Sequence, residues 1–166
     1  MTFFRAFPGV IGGTALIAAL VPAMPAMAST TSTNMTVQTV VPNSCTLSNV
    51  VNIAFSNPSG TTITQTDNAG SVDVTCTNGG TYTVSANNGS NAVSGQRRMQ
   101  SNRSGSTATL NYGLYTDTGR TNAFTTSSQL IGNGAAQTFS IYGRMPAQTA
   151  TEAGTYVDTV QLTVSY

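Results

Sequence analysis

Two cysteines, Cys45 and Cys76, are the side chains of this 166-residue sequence whose chemistry is easiest to read. In an oxidising compartment an even pair closes a disulfide. For a loop of this length, chain-entropy models value the closure at roughly 3–4 kcal/mol before strain. Two buried free thiols are the other reading. A metal site needs more ligands than two cysteines supply in a chain without histidine. A redox dithiol normally has C-x-x-C spacing, which is absent. Without histidine, acid–base work at neutral pH falls to carboxylates, of which the chain has five, widely spread. Serine and threonine are abundant, but a nucleophile needs an activating base, and no G-x-S-x-G elbow occurs. Gly12-Gly13 lies in an apolar leader and excludes a phosphate loop there. Asp158 has the inward parity of the last apolar run and reads as a strand-end carboxylate satisfied by neighbouring amides rather than as a site. Arg97-Arg98 reads as a solvated loop pair. Asn34, Asn88 and Asn102 open N-x-[ST] triplets, which chance supplies in so Ser/Thr/Asn-rich a chain. These residues point away from an enzyme, and no cofactor or metal is expected.

The elements that position these groups are strands. Beyond the leader the apolar residues recur with period two rather than 3.6. Met35, Val37, Thr39 and Val41 share one face of residues 34–41, ahead of the break at Pro42-Asn43-Ser44. Leu47, Val51, Ile53 and Phe55 alternate up to the turn Asn57-Pro58-Ser59-Gly60. Val72, Val74 and Cys76 form a strand, Asn78-Gly79-Gly80 a hairpin-type turn, and Tyr82, Val84 and Ala86 the returning strand. A short strand is expected near Met99, another through Leu110, Tyr112 and Leu114, and a third opening at Phe139 and Ile141. Residues 120–135 read as irregular, with apolar points at Phe124, Leu130 and Ile131. The most regular run is the last, Tyr156 to Tyr166, with Val160, Leu162, Val164 and Tyr166 on one face. Short strands, Gly/Asn turns and no helical period predict an antiparallel β-sandwich. Low hydrophobicity alone would allow disorder, but that state also needs high net charge, and the alternation is ordered.

The first 28 residues differ from the rest. Arg5 precedes an apolar stretch that closes on Ala26-Met27-Ala28, the pattern of a secretory signal peptide cleaved after Ala28. A membrane anchor is the competing reading, but Pro22 and Pro25 interrupt the span it would need. The expected organisation is a signal peptide at 1–28, an extension at 29–44 and one β-domain at 45–166. No membrane contact is expected after cleavage. Past Ala28 five arginines balance five acids. Without a basic stripe, nucleic acid is an unsuitable partner. A near-neutral surface permits close association between copies.

A strand with one apolar face needs partners for its amides and for that face. Residues 34–41 therefore either fold back as the first strand of their own domain or fill a vacancy in another copy by β-strand addition. Spacing leaves both open. The final strand, which runs to Tyr166, is unaccompanied by any later segment that would cover it.

The chain resembles the spore coat protein U domain family, which includes subunits of archaic (Csu-type) chaperone–usher pili. The resemblance rests on Cys45-Thr46-Leu47, on Val74-Thr75-Cys76-Thr77 with Gly79, Gly80 and Tyr82, and on Arg98-Met99. It continues through Tyr112-x-Leu114-Tyr115-x-Asp117, Tyr142-Gly143-Arg144, Gly154-x-Tyr156-x-Asp158-Thr159-Val160 and Val164-x-Tyr166. Thr125-Thr126 stands where many members have Trp-Gly, and Phe55-Ser56 where Phe-Gly is usual. The resemblance implies an immunoglobulin-like sandwich missing one strand. It implies a periplasmic chaperone that fills the gap for a time and an outer-membrane usher that exchanges it for the leading strand of the next pilus subunit. Met35, Val37, Thr39 and Val41 then become donor side chains, and Tyr156, Val160, Leu162, Val164 and Tyr166 a wall of the acceptor groove. Such a subunit reaches the cell surface through the periplasm and supports adhesion and biofilm formation. The alternatives are a self-contained secreted coat protein and a surface-binding, lectin-like adhesin.

Overall fold

The computed structural model describes Pro25, residues 27–56 and residues 60–166. The expected leader lies almost wholly outside the described residues, as does the turn at 57–59. Two units emerge, residues 1–38 and residues 39–166. In the first, the described residues carry no strand and all are exposed.

The second unit begins with six residues outside any strand and continues as β1 (Cys45–Val51), β2 (Thr62–Ile63), β3 (Thr66–Cys76) and β4 (Thr81–Ala86). There follow β5 (Arg98–Ser101), β6 (Thr109–Asn111), β7 (Gly113–Tyr115) and β8 (Leu130–Ile131). The last four are β9 (Ala136–Met145), β10 (Gln148–Thr149), β11 (Tyr156–Val157) and β12 (Leu162–Ser165). Every pairing is antiparallel, and no helix occurs among the described residues. The fold is all-β, as the period of two requires.

One layer is the sheet β1-β3-β9-β7, and facing it are the short sheets β12-β4-β8 and β11-β5-β6, with the ribbon β10-β2 at one side. Strand pleating sends alternate side chains to one face, and β3 and β4 each use theirs for the same interior. Val72, Val74 and Cys76 meet Tyr82, Val84 and Ala86 in one buried cluster with Tyr112, Leu114, Phe124 and Ile141. A smaller cluster joins Ile63, Leu110, Met145 and Ala150, and Phe55 and Met99 pack against both.

Four sequence expectations change. The 78–80 turn is tight, with Gly79 at φ 79° and Gly80 N donating to Thr77 O at 2.9 Å. It makes no hairpin, because β3 pairs with β1 and β9 while β4 pairs with β12 and β8. The turn carries the chain between layers, which lets both apolar rows face one core. The run at 110–114 divides at Tyr112, β6 joining β5 and β7 joining β9. The alternation from Leu47 to Phe55 leaves the ladder after Val51. The last run divides into β11 on β5 and β12 on β4, and Tyr166 lies beyond β12.

Candidate functional site

A groove opens where β1 ends. β1 follows β3 from the Cys45↔Cys76 pair to Val51↔Ser71, with its register shifting between Ser48 and Val51. Beyond Val51 the chain turns Ile53 and Phe55 inward, half-buried, over two glycines. A Cβ on Gly70 would lie 2.3 Å from the Val51 carbonyl oxygen and 2.9 Å from Ile53 Cγ1. One on Gly143 would lie 3.0 Å from both Ile53 Cγ2 and Phe55 Cζ. Glycine at these two strand positions makes room for the close approach.

The opposite wall is the last run of the chain, from β11 into β12 through Tyr156, Asp158, Val160 and Leu162, and Met99, Tyr112, Leu114 and Ile141 form the floor. The space measures about 470 Å³. A second hollow of about 740 Å³ shares Ile53, Phe55, Met99, Tyr156 and Val157 and runs on to Ile63, Leu110 and Met145. Val50, Val51 and Val157 stand exposed beside it. An apolar trough with exposed apolar rims is a surface that gains by being covered.

One charged side chain, Asp158, stands in the lining. Asp158 Oδ1 accepts from Ser90 N at 2.9 Å, Asn91 N at 3.2 Å and Asn91 Nδ2 at 3.1 Å. Its Oδ2 accepts from the Tyr112 hydroxyl at 2.6 Å. The carboxylate is thus satisfied by neighbouring amides, as its position at a strand break suggests. Burial pushes the Tyr112 phenol well above its ordinary range, and the Asp158 carboxylate adds to the shift. Gly89 sits against this carboxylate at φ 84°, and a Cβ there would lie 1.9 Å from Asp158 Oδ2.

Arg97 overturns its sequence reading as half of a solvated pair. It is 7% exposed, and its guanidinium donates to the carbonyls of Asn87, Phe124 and Ala86. Burial lowers its pKa, offset in part by Tyr112 and Asp158 nearby. A buried cation is retained when fixed dipoles replace its hydration, and here three carbonyls from two separate segments do so. Its neighbour Arg98 is only partly buried and reaches Asn91 O at 3.3 Å.

The model of the Spore Coat Protein U domain matches residues 31–163. This chain belongs to that family. A comparison with curated proteins finds no match. Among solved structures it is similar to the CsuC–CsuE chaperone–tip adhesion subunit pre-assembly complex from archaic chaperone–usher Csu pili of Acinetobacter baumannii. The identity is 20% and the TM-score 0.45, over 76% of this chain and 40% of that chain. The present chain therefore spans two-fifths of that chain's length.

Within the spore coat U domain the sequence-selected residues fall in three places. Cys45 and Cys76 are joined as a disulfide across the β1–β3 pair. Tyr156, Val160 and Leu162 line the groove, whereas Val164 packs into the main core opposite Val84 and Tyr166 is 62% exposed. Met35, Val37, Thr39 and Val41 are exposed and outside any strand, Met35 at 84% and Val37 at 85%. Sequence patterning does not single out Ile53, Phe55, Met99 and Tyr112 for the groove. A glycine in the interior of a strand, as at Gly70 and Gly143, is the signal that points to a close approach.

Proposed function

We propose that this chain is a structural subunit of a bacterial surface pilus, joined to its neighbours by donor-strand exchange. One observation carries the reading. The same chain holds an apolar groove beside an uncovered strand edge and, at residues 34–41, an exposed alternating segment that forms no strand. Each has what the other lacks, namely apolar cover and backbone partners. Membership of the Spore Coat Protein U domain family supports the same reading.

In this reading the sandwich is an immunoglobulin-like fold one strand short. A periplasmic chaperone covers the groove during export, and an outer-membrane usher replaces it with residues 34–41 of the next subunit. Met35, Val37, Thr39 and Val41 are the donor side chains. Tyr156, Val160 and Leu162 are the receiving wall, extended by Val164 and Tyr166. At about 25 cal/mol per Å² of apolar area, burying such a row yields several kcal/mol per junction before association costs. The fibres serve adhesion and biofilm formation at the cell surface, and the subunit has no catalytic part.

Co-expression with and without a candidate periplasmic chaperone, followed by size analysis, tests this. The expected result is a soluble complex with the chaperone and aggregates or multimers without it. Val37→Arg places a charge in the donor row and is expected to abolish fibres while leaving export intact. A durable monomer with Met35 to Val41 protected from hydrogen exchange would overturn the reading.

A further inference from the structure

The groove wall and the donor segment each contain one polar side chain in an apolar row, and the two rows match in only one direction. Along the wall, exposure alternates without interruption from Tyr156 to Ser165, although the inner partner changes from β5 to β4. Backbone bonds to inner partners come from odd positions. Thr155 O accepts from Asn102 N at 2.9 Å, Thr159 O from Ser90 N at 3.1 Å and Gln161 O from Asn87 N at 3.1 Å. In an antiparallel strand the N–H and C=O of one residue point to the same side, and the side alternates along the chain. The even residues Tyr156, Asp158, Val160 and Leu162 therefore turn their backbone groups to the outer edge and their half-buried side chains into the groove.

We infer that Asp158 and Thr39 set the register of the junction: residues 35–41 of a second copy lie antiparallel to residues 156–162, with Thr39 opposite Asp158. The inference rests on the strand-exchange reading above. The match places Val41 opposite Tyr156, Val37 opposite Val160 and Met35 opposite Leu162, so four donor side chains meet the four lining residues of even number. A parallel strand with the same polar match sets Met35 at Gly154 and leaves Leu162 uncovered. The chemistry of the polar pair is specific. A carboxylate oxygen has two lone pairs, and Asp158 Oδ1 already takes three donors while Oδ2 takes only the Tyr112 hydroxyl. The Thr39 hydroxyl supplies a donor. A slip of two residues in either direction puts valine against the carboxylate and the threonine hydroxyl against an apolar wall, which penalises both ends of the exchange.

Cross-linking in the full chain tests this. Four double variants, V37C/V160C, M35C/V160C, V37C/L162C and V37C/Y156C, are oxidised and the new disulfides located by peptide mass spectrometry; the second and third report the two slipped registers and the fourth the parallel strand. Directly opposed residues fall within disulfide reach, and those displaced by two or more do not. The expected result is an intermolecular ladder from V37C/V160C alone. Adding Thr39→Val cuts its yield on the order of ten-fold, and Thr39→Ser retains it. A ladder strongest in another pair, or a yield indifferent to Thr39→Val, overturns the register while strand exchange stands. Multimers with no ladder from any pair overturn the exchange reading as well. A new disulfide in V37C/V160C that is confined within single chains overturns the second copy as the occupant.

Discussion

Along residues 124–127 the interior is closed by a segment of the chain itself, whereas beside Tyr156 it is open along one edge, and both sides are built from the same alternating strands. The disulfide ties β1 to β3. Phe124 plugs the gap between layers, fully buried, with its ring 5.4 Å from that of Phe139. Its segment is bonded to both layers. Phe124 N donates to Leu114 O at 2.7 Å, Ser127 N to Val84 O at 2.7 Å, and Thr125 O accepts from Ala86 N at 3.0 Å. At the open end β1 leaves its ladder after Val51, and no described segment does for Tyr156 and Val160 what residues 124–127 do for Val84. The difference locates the open edge: one side is finished by an inserted segment, and among the described residues the other has none.

The comparison can be broken most severely at the closed end. Phe124→Ala removes a buried ring from a site bonded on two sides and unable to collapse freely. The expected loss is about 3–5 kcal/mol of unfolding free energy by denaturant titration. Replacing both cysteines with serine comes next. The bond spans 31 positions of sequence, and its removal should cost about 2–4 kcal/mol in the same titration, chiefly through the unfolded chain. At the open end Val160→Ala should lower the stability of the isolated chain by less than about 1 kcal/mol, because the side chain is only half-buried there. In the strand-exchange reading its larger effect should appear as faster dissociation of assembled subunits. If Val160→Ala destabilised the isolated chain as much as Phe124→Ala, the two ends would not differ as described.

How much of this is legible in the residues follows from what alternation encodes. It says which side chains face a core, so Val72, Val74, Cys76, Tyr82, Val84 and Ala86 are readable as interior. It does not say which sheet a strand joins. Asn78-Gly79-Gly80 has the same turn chemistry whether it closes a hairpin or crosses between layers, and the crossing is decided by two apolar rows seeking each other. Tyr112 hides a change of sheet inside an unbroken apolar row. Arg97 reads as solvated because charge usually is. Its three carbonyl partners come together only once residues 86–87 and 124 are folded against each other. Of the groove, the wall from Tyr156 to Leu162 is visible in the residues and the opposite wall is not, since Ile53 and Phe55 continue the alternation of a strand that the backbone has already left.

The smallest expected effect concerns pH, and it sets both ends against a common background. The bidentate Arg144 guanidinium holds Asp67 below its usual range, and Asn49 with Thr138 does the same for Asp73. The Asn122 and Thr121 amides lower Asp117, and the Ser101 and Ser106 hydroxyls lower Glu152. A carboxylate whose folded pKa is depressed lends stability above its unfolded pKa and loses it as pH falls, so the acid limb should begin below about pH 4. Tyr112 has the opposite sign, since burial and Asp158 raise it from 10.0. Its neutral form is favoured by the folded state, so that stability is whole below pH 10 and is lost as pH rises beyond it. With no histidine to titrate between, the melting temperature should stay level from about pH 5 to 9. Burial raises Tyr82 as well, so Tyr112→Phe should reduce the alkaline limb to the part Tyr82 supplies and leave the acid limb unchanged. A step near pH 6.5 would contradict the assignment, because no described side chain has cause to titrate there.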